Sequence, residues 1–325
     1  MRKFIRDVII LGVISGLFWL LGIVFCKNGH MFYDAEDYPN YKYVFKEAKA
    51  GKKDNKIIIL GDSRMMTFVN PVYFIHSDSA QNLSLPGGSP IEAYYVLKNY
   101  IESNRVPKLI IVGFDPGHYE GNQILKQGIP FDVFSKIELN EIAFHLKNDS
   151  KSNKDIDDIY SYYYGYLPKY GYRLLNSFFI GNYNKNCRIE NEIVKNKGCK
   201  NYIQNQNDWW SELSEKEIMN QLLAKSHFKK SKTCDYYFKR LLLMCKRNNI
   251  QVIVEQLPEP IDHPIYDKEY WNSFLFYMNS FRNYGNVTFV TDIMKYPDSL
   301  FRDVMHANDK GSKKYSLELS KKWNL

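Results

Sequence analysis

The chain has 325 residues and carries 44 Lys and Arg against 36 Asp and Glu, a formal net charge of +8. Its 45% hydrophobic and 25% charged residues are typical of an ordinary globular protein, which excludes a disordered chain, a collagen and a multi-span membrane protein. The basic residues are scattered along the chain, so the positive charge does not by itself predict binding to nucleic acid.

The first element is an uncharged apolar stretch from Val8 to Phe25. At about 1.5 Å per residue such a helix is about 27 Å long, enough to span the core of a bilayer. Arg2, Lys3 and Arg6 precede it, and the positive-inside rule then places the N-terminus in the cytoplasm and the rest of the chain outside. A cleaved signal peptide has the same order of regions, but no small-x-small cleavage site follows. We therefore predict an uncleaved single-pass anchor in the cell membrane.

The cysteines form no C-x-x-C pair, which excludes a zinc ribbon and a disulfide-dense scaffold. An extracytoplasmic setting makes the four that follow the anchor candidates for disulfides. Cys187 and Cys199 bracket a polar segment, which a bridge between them would close as a loop. Cys234 and Cys245 fall in one predicted helix, roughly 16 Å apart, so they cannot bridge each other. Four unpaired buried thiols are the alternative.

Residues 27–55 are polar and predict a stalk, with a short helix near Tyr43 to Ala50. From residue 56 onward, short apolar β-branched runs recur, as in the buried strands of a parallel sheet. These runs are IIIL (57–60), KLIIVGF (108–114), QVIVEQL (251–257) and VTFV (287–290).

Helical patterns lie between the predicted strands. Ser89 and Glu92 have the spacing of a capping box, with Pro90 at the first helical position, and open one helix. The last helix is expected from about Ser312 to Trp323. Strands that alternate with helices predict an α/β fold, a three-layer sandwich with a central parallel sheet covered on both faces.

The interval from about residue 120 to residue 232 interrupts this alternation. It is polar and rich in tyrosine, as in YSYYYGYLPKYGY (160–172), and contains Trp209 and Trp210. We predict a partly helical insertion whose rings either stack on sugars or simply pack a core and lid. The predicted organisation is a cytoplasmic N-terminus (1–7), an anchor (8–26), a stalk (27–55) and one domain (56–325) with this insertion.

Two short motifs carry residues suited to nucleophilic chemistry. Ser63, in Gly61-Asp62-Ser63-Arg64, comes straight after the first strand, where open α/β sheets bind their ligands. Asp303 and His306 precede the last helix, so an acid and a base lie three residues apart on one loop. A nucleophilic serine needs a base, and the base needs an acceptor that fixes its tautomer. Each motif alone is weak, but both are expected at the same edge of the sheet.

With these motifs the chain resembles the SGNH/GDSL hydrolase superfamily over roughly residues 56–115 and 251–325. The matching pieces are GDSR (61–64), NLSLPGGSP (82–90) and DVMH (303–306). The resemblance implies an SGNH- or flavodoxin-like fold. It also implies that Ser63 is the nucleophile, that His306 and Asp303 complete a catalytic triad, and that the N–H groups of Ser63 and of Gly87 or Gly88 bind the oxyanion.

One position departs from the family pattern. Family members place an asparagine after the next strand as a third oxyanion donor, whereas this chain has Asp115 there. An ionised carboxylate would repel an oxyanion, and a missing donor costs about 10²–10³ in rate. Asp115 is therefore expected to face elsewhere and hold a loop or a substrate hydroxyl, or else the oxyanion relies on backbone donors alone. Arg64, Asp115 and His118 are candidates for contact with substrate.

The order of the motifs looks most like a membrane-anchored branch that includes alginate-type O-acetyltransferases and DltD-like proteins. The resemblance implies an acyltransferase or esterase that acts on a cell-envelope polysaccharide or teichoic-acid-like polymer through an acyl-serine, with a multi-pass membrane acyltransferase as a candidate partner. The alternative is a catalytically silent module that binds glycan or docks such a partner. No G-x-G-x-x-G or P-loop motif occurs and the histidines lack metal-ligand spacing, so neither a cofactor nor a metal is expected.

Overall fold

The computed structural model of the protein describes residues 1–25, 37–121, 131, 133–147, 149, 159, 182–201, 217, 220, 225–261 and 265–325. The Tyr-rich segment 160–172 and both Trp209 and Trp210 lie outside these residues. The insertion expected over 120–232 therefore stays a prediction for the larger part of its length.

Short strands of two to five residues make up the sheets. They are β1 (Ile57–Gly61), β2 (Ala80–Asn82), β3 (Leu109–Gly113), β4 (Gln251–Val254), β5 (Glu259–Pro260), β6 (Val287–Phe289) and β7 (Lys295–Tyr296). Five of them form one parallel sheet in the order β2-β1-β3-β4-β6, while β5 pairs with β7 separately. Ile57 pairs with Ala80 on one side and with Leu109 on the other. Parallel pairing brings the carboxyl ends of the five strands to one edge.

Helices connect the strands and precede them. Those in the described residues are α1 (Arg2–Phe25), α2 (Tyr38–Ala48), α3 (Ser63–Phe68), α4 (Pro90–Ser103), α5 (Gly117–Glu120), α6 (Lys136–Leu146), α7 (Asn182–Lys195), α8 (Lys232–Arg247), α9 (Lys268–Asn279) and α10 (Asp309–Trp323).

The central sheet is buried on both faces at its inner strands, β1 and β3. Ile58 and Leu60 of β1 point into a core shared with α2, α4, α6, α8 and α9. Ile57 and Ile59 point the other way, into a second core that contains Phe68 of α3 and residues of α10. Alternate residues of a strand face opposite sides, so a run that is apolar throughout is what a strand buried on both faces requires. The prediction of an α/β fold with a central parallel sheet is confirmed.

The four apolar runs all form strands of this sheet, as predicted. No apolar run marks β2, because its residues Ala80, Gln81 and Asn82 are small or polar. Asn82 is nevertheless fully buried, and its amide donates to the carbonyls of Met65 (3.1 Å) and Val69 (2.7 Å). Because these hydrogen bonds satisfy the amide, Asn82 can be buried although its side chain is polar.

Helix caps decide where two predicted helices begin. Ser89 and Glu92 form the expected capping box at the start of α4, with Pro90 at its first position. The last helix begins at Asp309, three residues before the predicted Ser312, because the side chain of Asn308 caps it by accepting from the Gly311 N–H at 3.0 Å.

The predicted stalk needs a correction. Residues 38–48 form α2, which is buried in the first core; Tyr41 and Ala48 are fully buried and the Tyr41 hydroxyl donates to the Pro86 carbonyl at 2.9 Å. Tyr41, Val44 and Ala48 lie on one side of the helix at helical spacing. Polar residues between them make the stretch look like a linker, but the domain already includes α2.

Helix α1 is the element that the sequence predicts to be a membrane anchor. Among the described helices, α1 alone is long and apolar enough to cross a membrane, over Arg2–Leu21. Its side chains through Leu21 are exposed, so they do not pack on the described part of the domain.

The described cysteines are not bridged. None of Cys187, Cys199, Cys234 and Cys245 is in a disulfide, so the loop-closing bridge between Cys187 and Cys199 is not present. Cys234 and Cys245 share helix α8, as predicted. Burial raises the pKa of Cys199 and of Cys245 to about 12 each.

Candidate active site

Ser63 is the first residue of α3, immediately beyond the carboxyl end of β1. Asp62 caps this helix, because its Oδ1 accepts from the N–H groups of Arg64 (2.9 Å) and Met65 (3.3 Å). Its other oxygen, Oδ2, accepts from the Asp115 N–H at 2.6 Å, in the loop that follows β3. Asp62 is fully buried, so this one carboxylate fixes the serine turn to the neighbouring loop.

The turn requires glycine at position 61. A Cβ there would lie 2.1 Å from the Gly113 carbonyl oxygen and 2.5 Å from the Met65 Cβ. Gly61 pairs with Gly113 at the ends of β1 and β3. The close approach lets α3 start directly above the sheet edge, where Ser63 is presented.

The structure brings Ser63, His306 and Asp303 together, although 243 positions separate Ser63 from His306. The His306 Nε2 lies 2.8 Å from the Ser63 Oγ, and the His306 Nδ1 lies 2.9 Å from both carboxylate oxygens of Asp303. With the proton on Nδ1, the imidazole donates to Asp303 and its Nε2 accepts from the serine hydroxyl.

Backbone donors hold Asp303 in place. Its Oδ1 accepts from the N–H groups of Met305 (2.9 Å) and His306 (2.8 Å), so the carboxylate is fixed within its own loop. Burial acts to raise the pKa of Asp303, but the hydrogen bond and charge of His306 and these backbone bonds outweigh it, and the pKa lies below its ordinary value. Asp303 is therefore an anion that can stabilise an imidazolium at His306.

The two glycines of the middle motif differ in what their N–H groups do. The Gly88 N–H donates to the Leu85 carbonyl at 2.9 Å and closes a turn. Pro86 precedes Gly87, whose φ of +61° is the left-handed conformation that such a Pro-Gly turn requires. Within the described part of the chain, the Gly87 N–H has no hydrogen-bond acceptor.

The same turn lies against the serine turn. The Leu85 N–H donates to the Gly61 carbonyl at 3.0 Å, and a Cβ on Gly88 would lie 2.6 Å from that oxygen. The N–H of Ser63 likewise has no acceptor in the described residues. Of the two predicted alternatives, Gly87 is thus the glycine whose N–H, like that of Ser63, has no acceptor within the described residues.

Arg64 does not line an open cleft. Its side chain is 5% exposed, and its Nη1 lies 3.2 Å from the Asp115 Oδ2. Its Nη2 donates to the carbonyls of Pro258 (2.8 Å) and Leu257 (3.4 Å), in the loop after β4. The guanidinium thus binds protein groups, which corrects the prediction that Arg64 contacts substrate.

Asp115 is also turned into the protein. Its side chain is 5% exposed and, besides Arg64, its Oδ1 accepts from the Gly117 N–H at 2.9 Å and from the Tyr266 hydroxyl. Burial and the charge of Asp115 raise the pKa of Tyr266 well above its ordinary value, so the phenol remains a donor. Asp115 holds its own loop, one of the expected outcomes, and a substrate contact is not supported.

His118 lies in the short helix α5 after β3. Its side chain is 19% exposed, and its Nε2 is 3.6 Å from the Asp62 Oδ2, too far for a hydrogen bond. Its Nδ1 is buried and has no hydrogen-bond partner in the described structure. Among the three candidates for substrate contact, His118 alone retains an exposed portion beside the serine turn.

Sequence reasoning missed Tyr266 and the linking role of Asp62. The position of Asp62 ahead of a helix predicts a cap, but nothing in the sequence shows that its second oxygen reaches Asp115. Tyr266 lies 151 residues from Asp115, and no local pattern distinguishes it from the other tyrosines of the chain.

No known protein-family model matches the chain, and no functionally curated protein matches it. Within the described residues, no group of three His, Cys, Asp or Glu side chains is arranged to hold a metal ion.

Proposed function

We propose that the protein is a serine-dependent acyltransferase or esterase of the SGNH/GDSL type. The observation that carries this proposal is the hydrogen-bonded series from the Ser63 Oγ through His306 to Asp303 at the carboxyl edge of a parallel sheet. The unoccupied N–H groups of Ser63 and Gly87 support it, because an acyl-transfer site needs donors for the oxyanion beside the nucleophile.

The reaction proceeds in two halves. His306 takes the proton of Ser63 as its Oγ attacks the acyl carbonyl, and Asp303 stabilises the imidazolium. The N–H groups of Ser63 and Gly87 bind the oxyanion until the ester bond breaks and His306 protonates the leaving oxygen. The acyl-Ser63 intermediate is then attacked by an acceptor hydroxyl, or by water, which His306 deprotonates in turn.

The proposed setting is the outer face of a cell membrane. The basic residues ahead of α1 favour a cytoplasmic N-terminus and an extracytoplasmic domain, which would form a three-layer SGNH-like sandwich. Resemblance to membrane-anchored family members favours a cell-envelope glycopolymer as the substrate and transfer over hydrolysis. A multi-pass acyltransferase that delivers the acyl group is the partner this setting suggests.

The rival hypothesis, a catalytically silent module, depends on the aspartate that replaces the family's asparagine. That argument weakens when the contacts of Asp115 are considered, because its carboxylate is buried against Arg64 and does not stand free at the sheet edge. A module that only binds a ligand also does not require the hydrogen bond between Ser63 and His306.

A fluorophosphonate probe tests the proposal on the full chain in detergent. We expect the wild type to be labelled and Ser63→Ala not to be labelled. His306→Ala should label at least about 10³-fold more slowly, because the hydroxyl loses its base. Ser299→Ala, at an exposed serine in the segment before Asp303, is the matched control and should label like the wild type. A folded wild type that never labels, or a Ser63→Ala variant that labels equally well, would refute the enzyme.

A further inference from the structure

A buried ion pair lies directly behind the serine turn. Arg64 follows Ser63 in α3, and its guanidinium reaches both Asp115 in the loop after β3 and the carbonyls of Leu257 and Pro258 in the loop after β4. One side chain therefore ties the start of the nucleophile helix to the next two loops along the carboxyl edge of the sheet.

The pair is costly to break from either side. A buried charge without a partner is strongly destabilising, whereas here each charge neutralises the other. Asp115 has further donors in the Gly117 N–H and the Tyr266 hydroxyl. Tyr266 is itself fixed, because its ring stacks on Tyr270 with centroids 4.9 Å apart and planes 14° apart.

We propose that Arg64, Asp115 and Tyr266 are positioning residues for the reaction of Ser63, an inference that rests on the proposed function. They fix the first turn of α3 and hence the Ser63 Oγ and N–H. Arg64 also neutralises the carboxylate of Asp115, which stands where the resembling family has a neutral asparagine. A free negative charge there would oppose the oxyanion, and Arg64, one residue beyond the nucleophile, cancels it.

Charge removal distinguishes this role from simple support of the fold. In the full chain in detergent, Arg64→Gln leaves the Asp115 carboxylate without its counter-charge, and we expect the rate of fluorophosphonate labelling to fall about 10²-fold. Asp115→Asn instead leaves the Arg64 guanidinium without its counter-charge. The double variant Arg64→Gln/Asp115→Asn carries neither charge and should label at least about tenfold faster than Arg64→Gln alone.

Melting temperatures report the pair without reference to catalysis. Each single variant should melt roughly 10 °C below the wild type, and the double variant should lose less than the sum of the two. If the wild type never labels, the proposed function fails, while these four melting temperatures still decide whether the two charges are coupled.

A milder pair of variants covers the case in which a charge variant does not fold. Tyr266→Phe removes one donor to Asp115 and should slow labelling about tenfold. Tyr315→Phe is the matched control, because its hydroxyl is also buried but has no hydrogen-bond partner in the described structure. Labelling of Arg64→Gln or Tyr266→Phe at the wild-type rate, or a double variant no faster than Arg64→Gln, would overturn the positioning role.

Discussion

At the scale of single residues, the ionisation of Asp303 makes the stability of the folded protein depend on pH. Its pKa lies below the ordinary value of a carboxyl, since His306 and two backbone N–H groups outweigh the effect of burial. A group whose pKa is depressed in the folded protein stabilises the fold at pH values above its unfolded pKa, about 3.9 for aspartate. This contribution is lost as the pH falls through the lower, folded-state pKa.

Asp303→Asn should therefore change both activity and acid stability. We expect labelling at pH 7.5 to slow by about 10³–10⁴-fold, because the amide no longer fixes the imidazole as a base. The difference in unfolding free energy between wild type and variant should be largest above about pH 5 and narrow towards pH 2. Urea unfolding across this range measures it, with Asp292→Asn, at an exposed position, as the control. A difference that stays constant with pH would contradict this account of Asp303.

At the scale of elements, the junction of β1 and α3 presents Ser63 because two backbones approach closely there. The carbonyl of Gly113 occupies the space that a side chain at position 61 would need. A rigid backbone group cannot yield as a flexible side chain can, so the cost of an added methyl falls on the pairing of β1 with β3.

Gly61→Ala is expected to destabilise the protein by about 3 kcal/mol and to slow labelling of Ser63, since the strand end must shift. Gly121→Ala is the matched control, because a Cβ at position 121 has no neighbour within 4 Å among the residues that the structure describes. The unfolding free energy of this variant should differ from that of the wild type by less than about 0.5 kcal/mol. The urea concentrations at the unfolding midpoints of the two variants, compared with that of the wild type, measure these changes. Equal midpoints would mean that the close approach at Gly61 relaxes without cost.

At the scale of the whole molecule, the folded domain begins ahead of its first strand. Helix α2 buries Tyr41, Val44 and Phe45 in the core that also covers one face of the sheet. Removing three large side chains from a core costs on the order of 6 kcal/mol, which is comparable to the whole stability of a typical domain.

Two truncations test this boundary. A chain that begins at residue 37 lacks α1 and should leave the membrane fraction, remain folded and label at Ser63. A chain that begins at residue 56 also lacks α2 and should aggregate or melt far lower, because one side of its core is uncovered. Sedimentation with membranes, circular dichroism and probe labelling measure the three properties. Equal stability of the two chains would show that α2 is dispensable.

Local patterns in the sequence determined much of this protein. The apolar runs that became β1, β3, β4 and β6, the capping box of α4 and the apolar helix α1 all depend on neighbours within a few residues. The motifs around Ser63 and His306 were recognisable for the same reason, as was their expected meeting at one sheet edge, since parallel strands align their carboxyl ends.

Only the tertiary structure decided which polar groups are already hydrogen-bonded or ion-paired to other groups of the protein. Gly87 and Gly88 are equivalent in sequence, but the turn uses the N–H of Gly88 and leaves that of Gly87. Arg64 and Asp115 look like substrate-binding residues until their burial against each other and Tyr266 is seen. Hydrogen bonds and ion pairs between distant segments depend on three-dimensional proximity, which no local pattern encodes. The sequence therefore located the candidate site, and the packing around it decided which of its groups remain free to react.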